Sequence, residues 1–284
     1  MKQPSAAPSR EDRNSDSMAA PRNYRAEAVV LKQRGIGEAD RILTLYTLEF
    51  GKVRAVAKGV KRPGSKMSGH VDLLTHSQLM LAHGRNLDIV TQAQTVDTFI
   101  ELKNNLDHLS NALYVAELVD CLTEERLEGK AVFNLLLDTL HRLNDSPQQG
   151  SVLRYFELHL AHHLGYRPQL QNCASCETAL QPVTNYFHPA SGGVLCPECA
   201  FSLPQVRPIS LNAFKVLRLW QSCDYETACR VRIDTSLSNE LEMVMRAYLR
   251  FLLEREPKAV AWLDRLKREV TSPTGAAETT VGQS

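Results

Sequence analysis

From Tyr24 to Phe99 the chain reads as short extended segments separated by turns, and at Glu101 the period of its apolar positions changes. Residues 24–32, 41–48, 52–60, 73–82 and 87–99 are short segments rich in Thr, Val, Ile and Tyr, broken up by Gly35, Gly37, Gly51 and Gly84. In the third segment Lys52, Arg54 and Lys58 share one parity while Val53, Ala55 and Ala57 share the other. Period two predicts a strand with its apolar face inward and its cationic face outward. Gly59, Pro63, Gly64 and Ser65 then turn the chain into a loop. Five strands in so short a span predict a small barrel or a five-stranded sheet, and the five-stranded OB-fold barrel is the common oligonucleotide-binding form.

Beyond Glu101 the spacing is helical. Leu102, Leu106, Leu109, Leu113 and Ala116 recur at intervals of four and three. Further helices are predicted over residues 132–143, 152–164, 210–222 and 239–253, with Gly165 and Pro168 ending the second of these, and a last short segment follows at 258–268. Residues 172–200 break the pattern and carry two cysteine pairs. The expected fold is therefore α+β and multidomain. An OB-fold barrel (24–99) precedes a helical domain (100–170 and 206–268) with an inserted zinc-binding module (171–205), between polar ends (1–23 and 269–284) expected to be disordered.

Charge sharpens this division. The whole chain carries a formal net charge of only +1, yet residues 24–99 hold eleven Lys or Arg against seven Asp or Glu. Residues 101–167 invert the balance, with ten acids against six bases. Within the barrel, residues 51–70 contain Lys52, Arg54, Lys58, Lys61, Arg62 and Lys66 and no acid. Such a run suits a polyanion, because each phosphate it neutralises releases condensed counterions; a solvated edge strand is the plainer reading. Residues 59–66 resemble a P-loop with its last two residues reversed, but Pro63 and the lack of a following helical pattern argue against a phosphate cradle. No apolar run approaches the ~20 residues that cross a bilayer. The N-terminus lacks an apolar signal core, so a cytoplasmic protein is expected.

Cys173-x-x-Cys176 and Cys196-x-x-Cys199 stand nineteen residues apart, the spacing of a zinc ribbon. Four thiolates close a tetrahedron around Zn²⁺ and leave no open position, which predicts a structural ion. A redox dithiol needs only one pair. A zinc deaminase needs a His-x-Glu that the sequence lacks. Cys121, Cys223 and Cys229 are expected as buried thiols, and the adjacent His162 and His163 point to different faces of a helix. No Gly-x-Ser-x-Gly, His-Glu-x-x-His or Walker pair is present, so nothing in the sequence points to an enzyme.

Three stretches carry a resemblance: GEADRILTLY (37–46), GKVRAVAKG (51–59), and LRYFELHLAHHLGY (153–166) before the first cysteine pair. In this order they resemble the RecO family of bacterial recombination and repair mediators, over roughly residues 24–266. The resemblance implies an N-terminal OB-fold, a helical domain and a four-cysteine zinc module. It also implies binding of single- and double-stranded DNA, annealing of complementary strands, and partnership with RecR and the acidic tail of single-strand-binding protein (SSB) in placing RecA on coated DNA. The family's Leu-Arg-x-Phe-Glu arginine falls on Arg154 and its helix-end leucine on Leu164, which makes these the expected tail-binding pair, against an ordinary surface Arg and core Leu.

Within that frame Arg34, Arg41, Arg54, Lys58, Lys61, Arg62 and Lys66 are expected to track phosphates. Tyr46 is the one aromatic named for base stacking, with a core position as its alternative. A zinc-ribbon transcription or RNA-binding protein, or a scaffold that binds no DNA, would leave the same motifs in place.

Overall fold

A computed structural model describes residues 23–146 and 148–259. The barrel consists of β1 (Asn23–Ile36), β2 (Asp40–Thr47), β3 (Gly51–Ala57), β4 (His76–Ala82) and β5 (Asp88–Asp97). It closes in the order β1-β2-β3-β5-β4, the OB-type arrangement. Ala26, Ala28, Val30, Leu43, Leu45, Ala55, Ala57, Leu79, Leu81 and Val90 fill its interior. The small residues among them keep the barrel narrow enough to need no ligand inside. The turn between β2 and β3 is fixed by Thr47, whose Oγ1 accepts from the Phe50 N–H at 3.0 Å and donates to the Gly51 carbonyl at 2.9 Å.

Strand β1 runs four residues beyond the predicted stop at Lys32 and carries Gly35 within it. Its register with β2 shifts between Val30 and Lys32, a β-bulge. Ala26, Ala28 and Val30 face the interior before that point. The extra residue reverses the parity, so Lys32, Arg34 and Ile36 face outward instead of inward.

The helical body comprises α1 (Ile100–Asn104), α2 (Leu106–Leu122), α3 (Lys130–Asp145), α4 (Gln149–His163), α5 (Pro197–Ala200), α6 (Leu211–Ser222), α7 (Tyr225–Ala228) and α8 (Thr235–Leu253). The last short segment of the expected helical domain, 258–268, lies almost wholly outside the described residues. Asn105 caps α2, its side-chain oxygen accepting from the N–H groups of Asp107 and His108 at 3.0 and 3.1 Å. Gly165, with φ +84°, ends α4 as expected. The Tyr166 N–H reaches Ala161 O at 2.8 Å and the Gly165 N–H reaches His162 O at 3.1 Å, a Schellman motif.

Helix α4 is the axis of this body. Residues 152–158 are all buried, because one side of the helix packs into the cluster of α2 and α3 and the other into that of α6 and α8. The cysteine module adds β6 (Asn185–His188), β7 (Gly193–Leu195) and β8 (Arg207–Ile209), a sheet in the order β7-β6-β8. No helix among the described residues is long and apolar enough to cross a membrane.

The barrel and the helical body share a tight seam. The loop between α2 and α3 lies along the free edge of β3, where the Arg126 N–H donates to Lys52 O at 2.8 Å. Gly51 and Gly129 are the close approaches: a Cβ on Gly51 would collide with the Leu127 carbonyl, and one on Gly129 with the Tyr46 hydroxyl.

Candidate nucleic-acid interface and metal centre

The outward surface of β1–β3 is built by register. Across β1, β2 and β3 the opposed positions form rows: Lys32–Thr44–Arg54, then Arg34–Ile42–Val56, with Ile36 opposite Asp40 at the hairpin end. Directly opposed residues point to the same side of a sheet, so each row shares one face.

The helical body covers one end of that face. Tyr46 is 1 % exposed and belongs to the helical core. Burial pushes its hydroxyl pKa up to about 12. It cannot stack on a base, so the core alternative holds. Lys52 shares the parity of Arg54 but not its exposure. Its ammonium donates to the carbonyls of Asp120 and Thr123 at 2.5 and 2.6 Å and lies 3.7 Å from the Asp120 carboxylate. It therefore caps the C-terminus of α2, where the helix leaves carbonyls without partners. One member of the expected basic run is spent inside the protein.

The other expected cations divide. Arg34, Lys58, Lys61, Arg62 and Lys66 are exposed and form no ion pair among the described residues. Arg34 stands on the open rows of the face, and Lys58 follows in the turn just beyond β3, with the parity of Arg54 and Val56. Lys61 folds back over Gly35, where any Cβ would meet its ammonium. Its N–H donates to Ala39 O at 2.9 Å, and the Gly59 N–H donates to Asp40 Oδ1 at 2.7 Å. These bonds strap the basic loop to the β1–β2 turn, so cations far apart in sequence converge on one rim. Arg54 stays half exposed but has Glu125 at 3.8 Å. Arg41 departs from the set. Paired with Gly35 and Ala57, it has inward parity, and its guanidinium bonds Gln33 Oε1 at 2.8 Å with Asp72 at 3.9 Å.

Arg154 also departs from expectation. It is 6 % exposed and forms a two-pronged pair with the fully buried Glu157, one turn on in α4. Tyr114 donates its hydroxyl to Glu157 at 2.7 Å, and Glu242 lies 3.8 Å from the guanidinium. Burial pushes the Glu157 carboxyl up, an effect that Arg154 and Tyr114 partly offset. The structure thus holds the Arg154 side chain in an internal pair, where the expected tail anchor and its surface alternative both call for an exposed one. Leu164, at the end of α4, is half-buried against the helical core.

The four cysteines do converge. Cys173, Cys176, Cys196 and Cys199 hold their sulfurs within 4.8 Å of one another. Bonds of ~2.3 Å to a tetrahedral ion would separate the sulfurs by about 3.8 Å. The Cys176 and Cys196 sulfurs lie 3.8 Å apart. Cys173 sits in a tight turn, and Cys196 closes β7 at the start of α5. The Cys196 N–H points at the Cys173 sulfur at 3.3 Å, the kind of donor that supports a thiolate. Cys176 is drawn down to about 6, first by the Thr178 hydroxyl at 3.0 Å. Cys199 is pushed up to about 12, first by Cys176. One thiolate disfavours the next, and a divalent cation relieves that crowding, so the donor set fits a metal ion. Of the three remaining cysteines, Cys121 and Cys223 are half-buried and Cys229 is exposed, against the expectation that all three are buried.

Sequence reasoning missed the outward-facing Lys32, Ile36, Ile42 and Val56. The alternation of Ile42 and Thr44 with the buried Leu43 and Leu45 was a readable signal; the bulge that turns Lys32 and Ile36 outward was not.

Comparison with known proteins converges on a single family. The family model for the N-terminal part of Recombination protein O matches residues 18–99, and that for its C-terminal part matches residues 103–261. A DNA repair protein RecO from Roseiflexus sp. is 44 % identical over 256 residues, which is 90 % of each chain. One from Dehalococcoides mccartyi (strain ATCC BAA-2266) is 41 % identical over 251 residues, 88 % of this chain and 99 % of its own. One from Pelotomaculum thermopropionicum is 36 % identical over 255 residues, 90 % of this chain and 98 % of its own. With both halves matched in order around a closed five-stranded barrel and a four-cysteine cluster, the chain belongs to the RecO family of DNA repair proteins.

Proposed function

We propose that this protein binds single- and double-stranded DNA on the open end of the barrel face, anneals complementary strands, and acts with RecR and SSB to place RecA on coated DNA. The observation that carries the reading is the rim of Arg34, Lys58, Lys61, Arg62 and Lys66, exposed and without ion pairs among the described residues. Unpaired cations gathered on one surface can exchange their counterions for phosphates without first breaking an internal contact. Arg54 joins them at the cost of its contact with Glu125.

Annealing then requires no bond chemistry. Two strands held on one cationic surface repel each other less, and base pairing completes the step. The four cysteines would hold Zn²⁺, which fixes the fold of the module and carries no reaction. Membership of the family supports the named partners and a cytoplasmic, nucleoid-associated site of action.

An annealing assay on SSB-coated complementary strands tests the proposal. Reversing Arg34, Lys58, Lys61 and Arg62 to Glu is expected to lower affinity for all sequences alike and to flatten the dependence of log affinity on log salt by about 0.7–0.9 per lost phosphate contact. An unchanged slope removes these residues from the site. Chelation of the metal is expected to loosen the cysteine module while leaving the barrel's salt-dependent binding in place.

A further inference from the structure

The open rows of the barrel face are not wholly cationic. Ile42 and Val56 are opposed on β2 and β3, and Val56 is in turn paired with Ile89 on β5. All three are half-buried. Adjacent strands lie ~4.8 Å apart, so these side chains form a continuous aliphatic stripe across three strands. Ile36 extends it at the β1–β2 hairpin end and is 45 % exposed. The helical body covers the other end of the same face at Tyr46 and Lys52 and leaves this end uncovered.

Around the stripe stand Arg34, Lys58 and Lys61, none in an ion pair among the described residues. Of the acids near the face, Asp40 accepts from the Gly59 N–H, Asp120 of α2 lies 3.7 Å from both Lys32 and Lys52, and Glu125 lies 3.8 Å from Arg54, while Glu38 stands exposed in the β1–β2 turn. An apolar floor with a cationic border matches a chain whose backbone is anionic and whose bases are flat and poorly hydrated. A duplex offers the border its phosphates but hides its bases. A single strand offers both.

Resting on the proposed DNA binding, we infer that Ile36, Ile42 and Val56 form a floor on which unpaired nucleobases lie, and that this floor selects single strands over duplex. Aliphatic contact has no hydrogen-bonding pattern to read, so the selection is blind to sequence. It also takes the place of the aromatic platform usual on such barrels, since Tyr46 is enclosed.

The test compares three probes at one salt concentration by fluorescence anisotropy: oligothymidylate, an abasic oligonucleotide of equal length and charge, and a duplex. The native protein is expected to bind oligothymidylate roughly tenfold more tightly than the abasic strand, within the range of base–side-chain contacts. Ile42→Thr with Val56→Thr is expected to erase that preference, to change duplex affinity less than about twofold, and to leave the salt slope unaltered. Ile36→Ser, at an exposed position, provides the same reading if the double variant folds poorly. Equal binding of abasic and thymidylate strands by the native protein overturns the floor while leaving the phosphate rim standing. Binding to none of the probes overturns the rim itself. Loss of duplex and single-strand affinity in equal measure assigns the stripe to barrel packing and also overturns the floor.

Discussion

Lys52 and Lys58 stand on the same barrel strand or its immediate extension, with the same parity. Lys52 is enclosed by the carbonyl end of α2; Lys58 is exposed and without an ion pair among the described residues. The same division runs through the molecule. Arg154, Arg126 and Lys52 neutralise buried carboxylates or helix carbonyls and hold elements together. The side chains of Arg34, Lys58, Lys61, Arg62 and Lys66 form no ion pair among the described residues. A basic count over a stretch of sequence cannot tell these groups apart; only the packing of one surface against another does.

The division predicts different penalties. Arg154→Ala leaves Glu157 buried without its cation, and removing one partner of a buried pair costs about 3–5 kcal/mol. Thermal unfolding is expected to shift down by many degrees, with DNA affinity of the folded fraction unaltered. A stability loss below about 1 kcal/mol would place Arg154 among the free cations instead. A smaller contrast follows for the two lysines. Lys52→Met strands the Asp120 and Thr123 carbonyls and is expected to cost about 1–3 kcal/mol by urea unfolding. Lys58→Met is expected to cost under about 0.5 kcal/mol and to reduce the salt slope of DNA binding by roughly one phosphate contact. Matching losses of stability in both variants would dissolve the comparison.

Much of this architecture was legible in the residues. Thr, Val, Ile and Tyr content broken by glycines marked the five barrel strands, with alternation clearest in the third; the change of period at Glu101 marked the helices, and the cysteine spacing marked a cluster that the fold assembles. What escaped depends on distance and enclosure. Lys52 finds its carbonyl partners 68 and 71 residues away, beyond any local pattern. Arg154 and Glu157 stand three apart on one helix, so their pairing was readable, but not that α4 is enclosed on both sides. The continuation of β1 through Gly35 was hidden because glycine ordinarily interrupts a strand. Here it leaves room for the Lys61 ammonium.

The smallest predicted effect concerns Arg126, itself half exposed, which joins the two bodies through a buried carboxylate. Asp88, at the start of β5, is 1 % exposed. It accepts from the Tyr24 hydroxyl, from Arg126 Nη2 at 2.7 Å and from the Gly84 N–H at 3.4 Å, with His83 Nδ1 at 3.7 Å. Burial alone would raise its pKa, but the bonds from Tyr24 and Arg126 outweigh it and hold the carboxyl below its ordinary value. A depressed carboxylate contributes stability that is complete above its unfolded pKa of about 3.9 and is lost as pH falls through the folded value. Urea midpoints are therefore expected to fall on acidification below about pH 4, and to fall less steeply in Asp88→Asn, which has no carboxyl to protonate. Arg126→Gln is expected to weaken the depression and bring the acid limb to higher pH, whereas Lys58→Met, on the open rim, leaves that limb where it is. If Asp88→Asn and the native protein lost stability in parallel, the seam between barrel and helices would owe nothing to this carboxylate.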